Sequence, residues 1–175
     1  MCTLDAFKVD LLRLTDAETV FHYHLDKAYF EAIGAPDVSE GELDTTLTIR
    51  KCSDCFELHF HTEGVVCVAC DLCLDDMEQP VVADNYLVAK IGNADSESDD
   101  TVVVDEQQGT LDTSWFIYEF VDLAIPVRHV HAPGKCNAAM TKLLEEHSTA
   151  RSSERSDEEP TDPRWEALKR LTIND

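Results

Sequence analysis

Cysteine and histidine are the residues of this chain with the most evident chemistry, and seven of each occur among its 175 residues. Cys70 and Cys73 form a Cys-x-x-Cys unit at the end of a predicted strand, where such a knuckle can direct two thiolates to one tetrahedral zinc ion. Farther along, His131 and Cys136 lie in a Pro/Gly turn and would complete a Cys3His set, with His129 as the competing imidazole. The pattern predicts a shared zinc site, or at least a common buried cluster, formed by Cys70, Cys73, His131 and Cys136.

A second Cys-x-x-Cys unit, Cys52 and Cys55, offers another ligand set, because its spacing from Cys70 and Cys73 is close to that of ribbon-type zinc sites. The Cys52/Cys55 pair flanks a predicted two-residue hairpin turn, so the two thiols could instead simply face each other across the strands. The alternative without metal is that these cysteines are buried thiols, as free cysteines often are. A redox role for Cys70 and Cys73 is disfavoured, since thiol–disulfide enzymes place such a pair at a helix N-terminus within a βαβ unit.

Charge and composition narrow the function classes. The chain has 36 acidic and 14 basic residues, a formal net charge of −22, and this field repels phosphate and attracts cationic partners. General solubility is the other explanation of such acidity. No segment reaches the roughly 18 uninterrupted apolar residues of a membrane span, and the N-terminus lacks the pattern of a secretory signal. With its odd number of cysteines interpreted as thiols, the chain is expected to be cytoplasmic.

Apolar spacing predicts an α+β fold: an antiparallel β meander or a partly closed barrel-like sheet, with a few packed helices and a tethered C-terminal helix. Period-two alternation and β-favouring composition predict strands in six segments, at residues 7–14, 19–25, 43–51 with 56–61 as a hairpin, 65–70 and 81–91. Helical spacing, caps and stop signals predict helices at residues 27–33, 114–123, 137–147 and 163–171. The acidic segment 93–106 is expected to be a mobile loop.

The same patterns predict a domain organisation of one α+β domain at residues 1–147, an acidic and polar linker at 148–162, and a short C-terminal helix at 163–175. The linker is expected to be mobile because it has little apolar surface to offset the entropy of ordering. Trp165, Leu168 and Leu171 are spaced for one apolar stripe on the last helix. This stripe is a candidate partner-docking element, with packing onto the sheet as the alternative.

Short motifs in a fixed order carry a resemblance to a known family. They are Gly64-Val65-Val66 leading to Cys70-Asp71-Leu72-Cys73-Leu74, the helix that runs through Ile125-Pro126 to His131 and Cys136, and the closing segment Asp162 to Leu168. Their order resembles the YceD family, which is named for accumulation of large-subunit ribosomal RNA and whose genes are often neighbours of one for a small basic large-subunit protein. Leu72 departs from the arginine that many relatives have between the cysteines.

The resemblance and the charge together predict a non-catalytic accessory factor that supports large-subunit ribosomal RNA accumulation and ribosome biogenesis. Its expected partner is a basic ribosomal or rRNA-processing protein, since the basic residues are scattered and direct RNA binding is doubtful. The alternative is a zinc-bearing RNA-binding module, and a thiol oxidoreductase comes third. No Gly-rich phosphate loop, nucleophile elbow or His-Glu-x-x-His motif indicates an enzyme.

Overall fold

Residues 4–38, 40–92 and 101–147 are described by a computed structural model of the protein. The strands are β1 (Lys8–Asp10), β2 (Glu18–Leu25), β3 (Glu40–Lys51), β4 (Phe56–Ala69), β5 (Asp76–Ile91), β6 (Thr101–Val104) and β7 (Thr110–Asp112). The helices are α1 (Lys27–Ile33), α2 (Ser114–Ala124) and α3 (Ala138–His147), and two short 3-10 helices, Leu4–Phe7 and Leu11–Arg13, flank β1. This mixture confirms the predicted α+β class.

One five-stranded sheet, in the order β2-β3-β4-β5-β6, organises the described residues. Its strands β2 to β5 pair antiparallel in chain order, which is the predicted meander. Only the β5–β6 pairing is parallel. The sheet stays open, with β2 and β6 at its edges in the described part of the chain, so the meander and not the partly closed alternative is present. A separate two-stranded sheet pairs β1 with β7.

Apolar and polar residues alternate along the long strands, which gives the sheet one buried face and one exposed face. In β3 and β4 the side chains of Leu47, Ile49, Leu58 and Phe60 are at most 2% exposed. Helix α2 covers this face, where the Phe60 and Phe120 rings meet at 5.2 Å. Burial of these apolar side chains is the main stabilising contribution to the fold, at about 1.5–3 kcal/mol for each large side chain.

Helices α1 and α2 begin and end where their sequences predict. Asp26 caps α1 by accepting a hydrogen bond from the Tyr29 amide at 3.0 Å, and Gly34 ends it in the left-handed conformation. Ile125 adopts an extended conformation because Pro126 follows it, and α2 therefore ends at Ala124. No helix within the described ranges is both long and apolar enough to cross a membrane.

Three predictions of local structure are wrong. The segments 56–61 and 65–70 form one continuous strand, β4, and not two strands. The segment 7–14 forms only the three-residue strand β1, because the Asp10 carboxylate accepts from the amides of Leu12 and Arg13 and turns the chain into a 3-10 helix. Within the predicted mobile loop at 93–106, Thr101–Val104 form strand β6 instead. The three consecutive valines of β6 have high β propensity, and Val104 is buried against the sheet.

The chain divides into two units, Met1–Thr141 and Lys142–Asp175. The first contains both sheets, α1 and α2. Of the second, only residues 142–147, which form the end of α3, are described. The predicted linker at 148–162, the predicted C-terminal helix and residues 93–100 of the predicted acidic loop lie outside the described residues.

Candidate metal centre

The loop between β4 and β5 forms the knuckle that presents Cys70 and Cys73. The Cys70 amide donates to the Asp75 carbonyl at 2.9 Å, and the Leu74 amide donates to the Cys70 carbonyl at 2.9 Å. Leu74 has a φ of +62°, a left-handed conformation that is unusual for a residue with a side chain and closes the loop tightly. Both cysteines consequently face inward, with exposed fractions of 0% and 1%.

The segment that follows α2 supplies the other two side chains of the cluster, and backbone hydrogen bonds hold it against the knuckle. The Asp71 amide donates to the His129 carbonyl at 3.0 Å, while the His129 amide donates to the Asp71 carboxylate at 2.7 Å. Farther along, Asn137 donates from its side chain to the Asp75 carboxylate at 3.2 Å. These contacts position the intervening turn, in which His131 and Cys136 lie.

The structure brings together the four residues predicted to share a site. One potential ligand atom from each of Cys70, Cys73, His131 and Cys136 lies within 4.8 Å of all the others. The Sγ atoms of Cys70 and Cys136 are 3.9 Å apart. The His131 Nδ1 atom is 3.4 Å from the Sγ of Cys73 and 4.0 Å from that of Cys136.

These separations fit the edges of a zinc tetrahedron. Zinc–sulfur bonds of about 2.3 Å and zinc–nitrogen bonds of about 2.0–2.1 Å give edges of about 3.8 Å between sulfurs and about 3.6 Å between sulfur and nitrogen. Three soft thiolates and one imidazole are ligands that zinc prefers. Since four protein ligands leave no open coordination position, the cluster could hold a structural metal ion and offers no site for a metal-bound water.

The pKa values of two thiols in the cluster, Cys70 and Cys136, are shifted in opposite directions. Burial alone raises the pKa of the Cys70 thiol, but hydrogen bonds from the backbone amides of Cys73, His131 and Leu72 outweigh it and lower this pKa to about 6. Burial also raises the pKa of Cys136 to about 11, helped by the neighbouring sulfurs of Cys70 and Cys73. Amide donors aimed at a thiolate stabilise its negative charge, as they do around metal-bound sulfur.

The alternative ligand sets do not assemble. Cys52 and Cys55 lie before β4 and Cys70 lies after it, so the 14 residues of that strand separate the two Cys-x-x-Cys units. An extended strand of this length spans roughly 45 Å, and a shared zinc ion is therefore excluded. The competing imidazole, His129, donates from Nδ1 to the Pro126 carbonyl at 3.0 Å and is not part of the cluster. The predicted docking residues Trp165, Leu168 and Leu171 lie outside the described residues.

Three polar residues that support the cluster were not predicted. Asp71, Asp75 and Asn137 connect the knuckle to the later segment, as described above. Asp71 is 58 positions from its partner His129 in the sequence, and no spacing rule relates residues that far apart. The only available signal was the position of Asp71 between the two cysteines, where its side chain must lie at the mouth of the knuckle.

Comparison with known proteins assigns the family. The profile of the family described as "Large ribosomal RNA subunit accumulation protein YceD" matches residues 58–172, more than half of the chain. No curated protein and no solved structure shows significant similarity to the chain. The matched range begins inside β4 and includes all four residues of the cluster. The chain therefore belongs to the YceD family, whose name implies a role in accumulation of the large ribosomal RNA subunit.

Proposed function

We propose that this protein is a non-catalytic, cytoplasmic accessory factor that supports large-subunit ribosomal RNA accumulation by binding a basic ribosomal or rRNA-processing protein. Family membership supports the ribosomal direction. The observation that supports a basic protein as the direct partner is the charge: 36 acidic residues against 14 basic ones. A surface of this sign attracts cationic proteins and repels the phosphates of naked RNA.

The placement of the basic side chains also favours a basic protein over RNA as the partner. Five described lysines and arginines form ion pairs with carboxylates of the same chain: Lys8–Asp5, Arg13–Asp10, Lys27–Glu40, Arg50–Glu18 and Lys142–Glu146. Exposed pairs contribute little to stability, but each neutralises a cation that an RNA-binding surface would present to phosphate. Lys51, in addition, donates to the Leu14 carbonyl at 3.2 Å. RNA binding through these six side chains would have to displace their internal contacts.

A binding titration tests the proposal. The purified protein is titrated at several salt concentrations with a small basic large-subunit ribosomal protein and, separately, with a large-subunit rRNA fragment. We expect the basic protein to bind more tightly, with an affinity that falls as salt rises, because screening weakens attraction between exposed charges. Tighter binding to the rRNA fragment than to the basic protein would contradict the proposal.

A zinc-bearing RNA-binding module is the second candidate, and the Cys3His cluster is the observation that favours it. The edge lengths and the amide donors around Cys70 support zinc binding. We propose that the ion has a structural role, because it would join the β4–β5 knuckle to the segment after α2. Zinc measured by mass spectrometry should be about one ion per chain, and the rRNA arm of the titration then separates a structural zinc from a zinc-dependent RNA module.

A thiol oxidoreductase remains the third candidate, because a lowered thiol pKa is also a property of redox cysteines. Here the sulfurs of Cys70 and Cys73 are buried, at 0% and 1% exposure, so a substrate disulfide has no direct access to them. Replacement of both cysteines by serine, in a variant that still folds, would abolish any disulfide reductase activity if this candidate were correct.

A further inference from the structure

A groove of about 460 Å³ lies beside the knuckle, between the end of β4 and the segment that follows α2. Its volume is within the range of about 300–1,000 Å³ that is usual for ligand sites. Apolar side chains form much of its wall, and Leu74 and Val127 among them are 67% and 102% exposed. Large aliphatic side chains exposed around a concave surface are typical of interaction sites.

Carboxylates without cationic partners lie in the same groove. Asp37 and Asp122 both line it. No ion pair among the described residues includes either one. Partial burial, followed by the negative charge of Asp37, raises the pKa of Asp122. The exposed Asp37 carboxylate and the partly buried Asp122 carboxylate repel each other, and a cation bound between them would relieve that repulsion.

The exposed face of the sheet is acidic too, but histidines already engage two of its carboxylates, those of Asp44 and Asp84. His24 Nδ1 lies 2.9 Å from an Asp44 oxygen, and His61 Nδ1 lies 2.6 Å from an Asp84 oxygen. These contacts raise the pKa of both histidines, with the hydrogen bond to the carboxylate as the main cause. A cation that docked at Asp44 or Asp84 would first have to displace a histidine. The groove presents no such competition at Asp37 and Asp122.

We propose that this groove, lined by Asp37, Asp122, Leu74, Ile125 and Val127, docks a segment of a basic partner protein in which arginine or lysine alternates with aliphatic residues. Its apolar wall would bury the aliphatic side chains, and the carboxylate pair would accept hydrogen bonds from a guanidinium or ammonium group. Charge complementarity selects this occupant, since an acidic or purely apolar segment would leave the carboxylates unpaired. The inference rests on the proposed function and specifies where on the protein the partner binds.

Two charge-matched double variants test the electrostatic part. Asp37→Asn with Asp122→Asn removes two charges from the groove, whereas Asp44→Asn with Asp84→Asn removes two from the exposed sheet face. Using the small basic large-subunit ribosomal protein as the probe, we expect the groove variant to lose about tenfold or more in affinity and the sheet variant less than about threefold. Equal losses would show that attraction is diffuse, and no loss in the groove variant would exclude the groove.

Two labelled peptides test the apolar part. In one, arginine alternates with leucine, and in the other serine replaces each leucine at the same charge. We expect wild type to prefer the leucine peptide by at least about fivefold and the Val127→Ser variant to lose much of that preference. Val127 is fully exposed, so this variant should fold normally. Equal binding of both peptides to wild type would overturn the assignment of an apolar-flanked segment.

The outcomes separate the two proposals. If wild type binds the basic protein and the groove variant binds it equally well, the groove assignment is wrong while the proposed function stands. If wild type binds neither the basic protein nor the leucine peptide, the proposed function and the groove assignment both fail. Thermal unfolding of each variant checks that a loss of affinity is caused by the changed groove side chains and not by unfolding of the protein.

Discussion

Two Cys-x-x-Cys units occupy equivalent places in the sheet, one in the β3–β4 loop and one in the β4–β5 loop, yet their surroundings differ completely. Cys70 and Cys73 are buried, and their sulfurs lie close to His131 and Cys136. Cys52 is exposed, and its amide donates to the Cys55 carbonyl across a tight turn at 2.9 Å. No histidine or third cysteine within the described residues joins that pair in a metal-binding group.

The difference shows that spacing alone does not make a metal site. The amides of Cys73, His131 and Leu72 lower the pKa of Cys70 to about 6. Desolvation and then the Glu57 charge raise the pKa of Cys52 above its ordinary 9.0. A thiolate is the form that binds metal. The β4–β5 loop can supply one at neutral pH, whereas the β3–β4 loop has neither the amide donors nor the additional ligands.

The largest expected effect separates the two units directly. Replacing Cys70 and Cys73 with serine should abolish zinc binding, and the melting temperature should fall by about 10 °C, since a structural ion contributes to folding free energy. The matched variant Cys52→Ser with Cys55→Ser should keep both its zinc content and its melting temperature. Mass spectrometry of bound zinc and thermal unfolding measure the two quantities. Zinc retained in the first variant and lost in the second would reverse the comparison.

The two nearby histidines should also behave differently. His131→Ala removes a potential ligand and should weaken zinc affinity by about a hundredfold or more, whereas His129→Ala should change it by less than about tenfold. The His129 contact with Asp71 includes the backbone amide, which an alanine keeps. Competition with a chromogenic chelator measures both affinities. Similar losses in the two variants would mean that the ring of His129, and not only its backbone, supports the site.

Thiol alkylation should have a different pH dependence at Cys52 and at Cys70 in the metal-free protein. Cys52, whose pKa lies above 9, is protonated at pH 7, and its labelling rate should rise about tenfold per pH unit between pH 7 and 9. Cys70, with a pKa of about 6, is already a thiolate at pH 7. Its burial slows labelling, but the labelling rate should stay nearly constant over this pH range. Mass spectrometry of the labelled peptides follows each site. A flat profile at Cys52 would contradict the prediction.

The smallest expected effect concerns the turn that carries His131 and Cys136. Gly134 has a φ of +81° with open space around its α-carbon, so Gly134→Ala meets no clash but strains the backbone. The cost should be about 1 kcal/mol in the free energy of unfolding. Gly92→Ala, also in open space but without a positive φ, should cost less. Denaturant unfolding compares the two, and equal stabilities would show that the turn is not conformationally constrained.

Much of the fold could be predicted because its signals are local. The α1 limits follow from Asp26 and Gly34, and the α2 end follows from Pro126, since caps and proline act on their immediate neighbours. The strand at 7–14 was predicted wrongly because the alternation of apolar and polar residues does not indicate the hydrogen bonds that the Asp10 side chain accepts from the backbone. The strand β6 was not predicted because the acidic residues around its three valines favoured a loop. These valines are ordered by pairing with β5, which is remote from the local pattern.

The sequence by itself determined which side chains were available for the candidate metal centre: thiols in a knuckle, and an imidazole and a third thiol in a later turn. It also determined that the chain is strongly acidic. Tertiary structure alone decided between His131 and His129, and between the Cys52 and Cys136 ligand sets. It also placed Asp37 and Asp122 in one groove. The physical reason is that the distances between ligand atoms, and the charges left unpaired, depend on which segments remote in sequence pack together. The spacing of residues within one segment does not predict that packing.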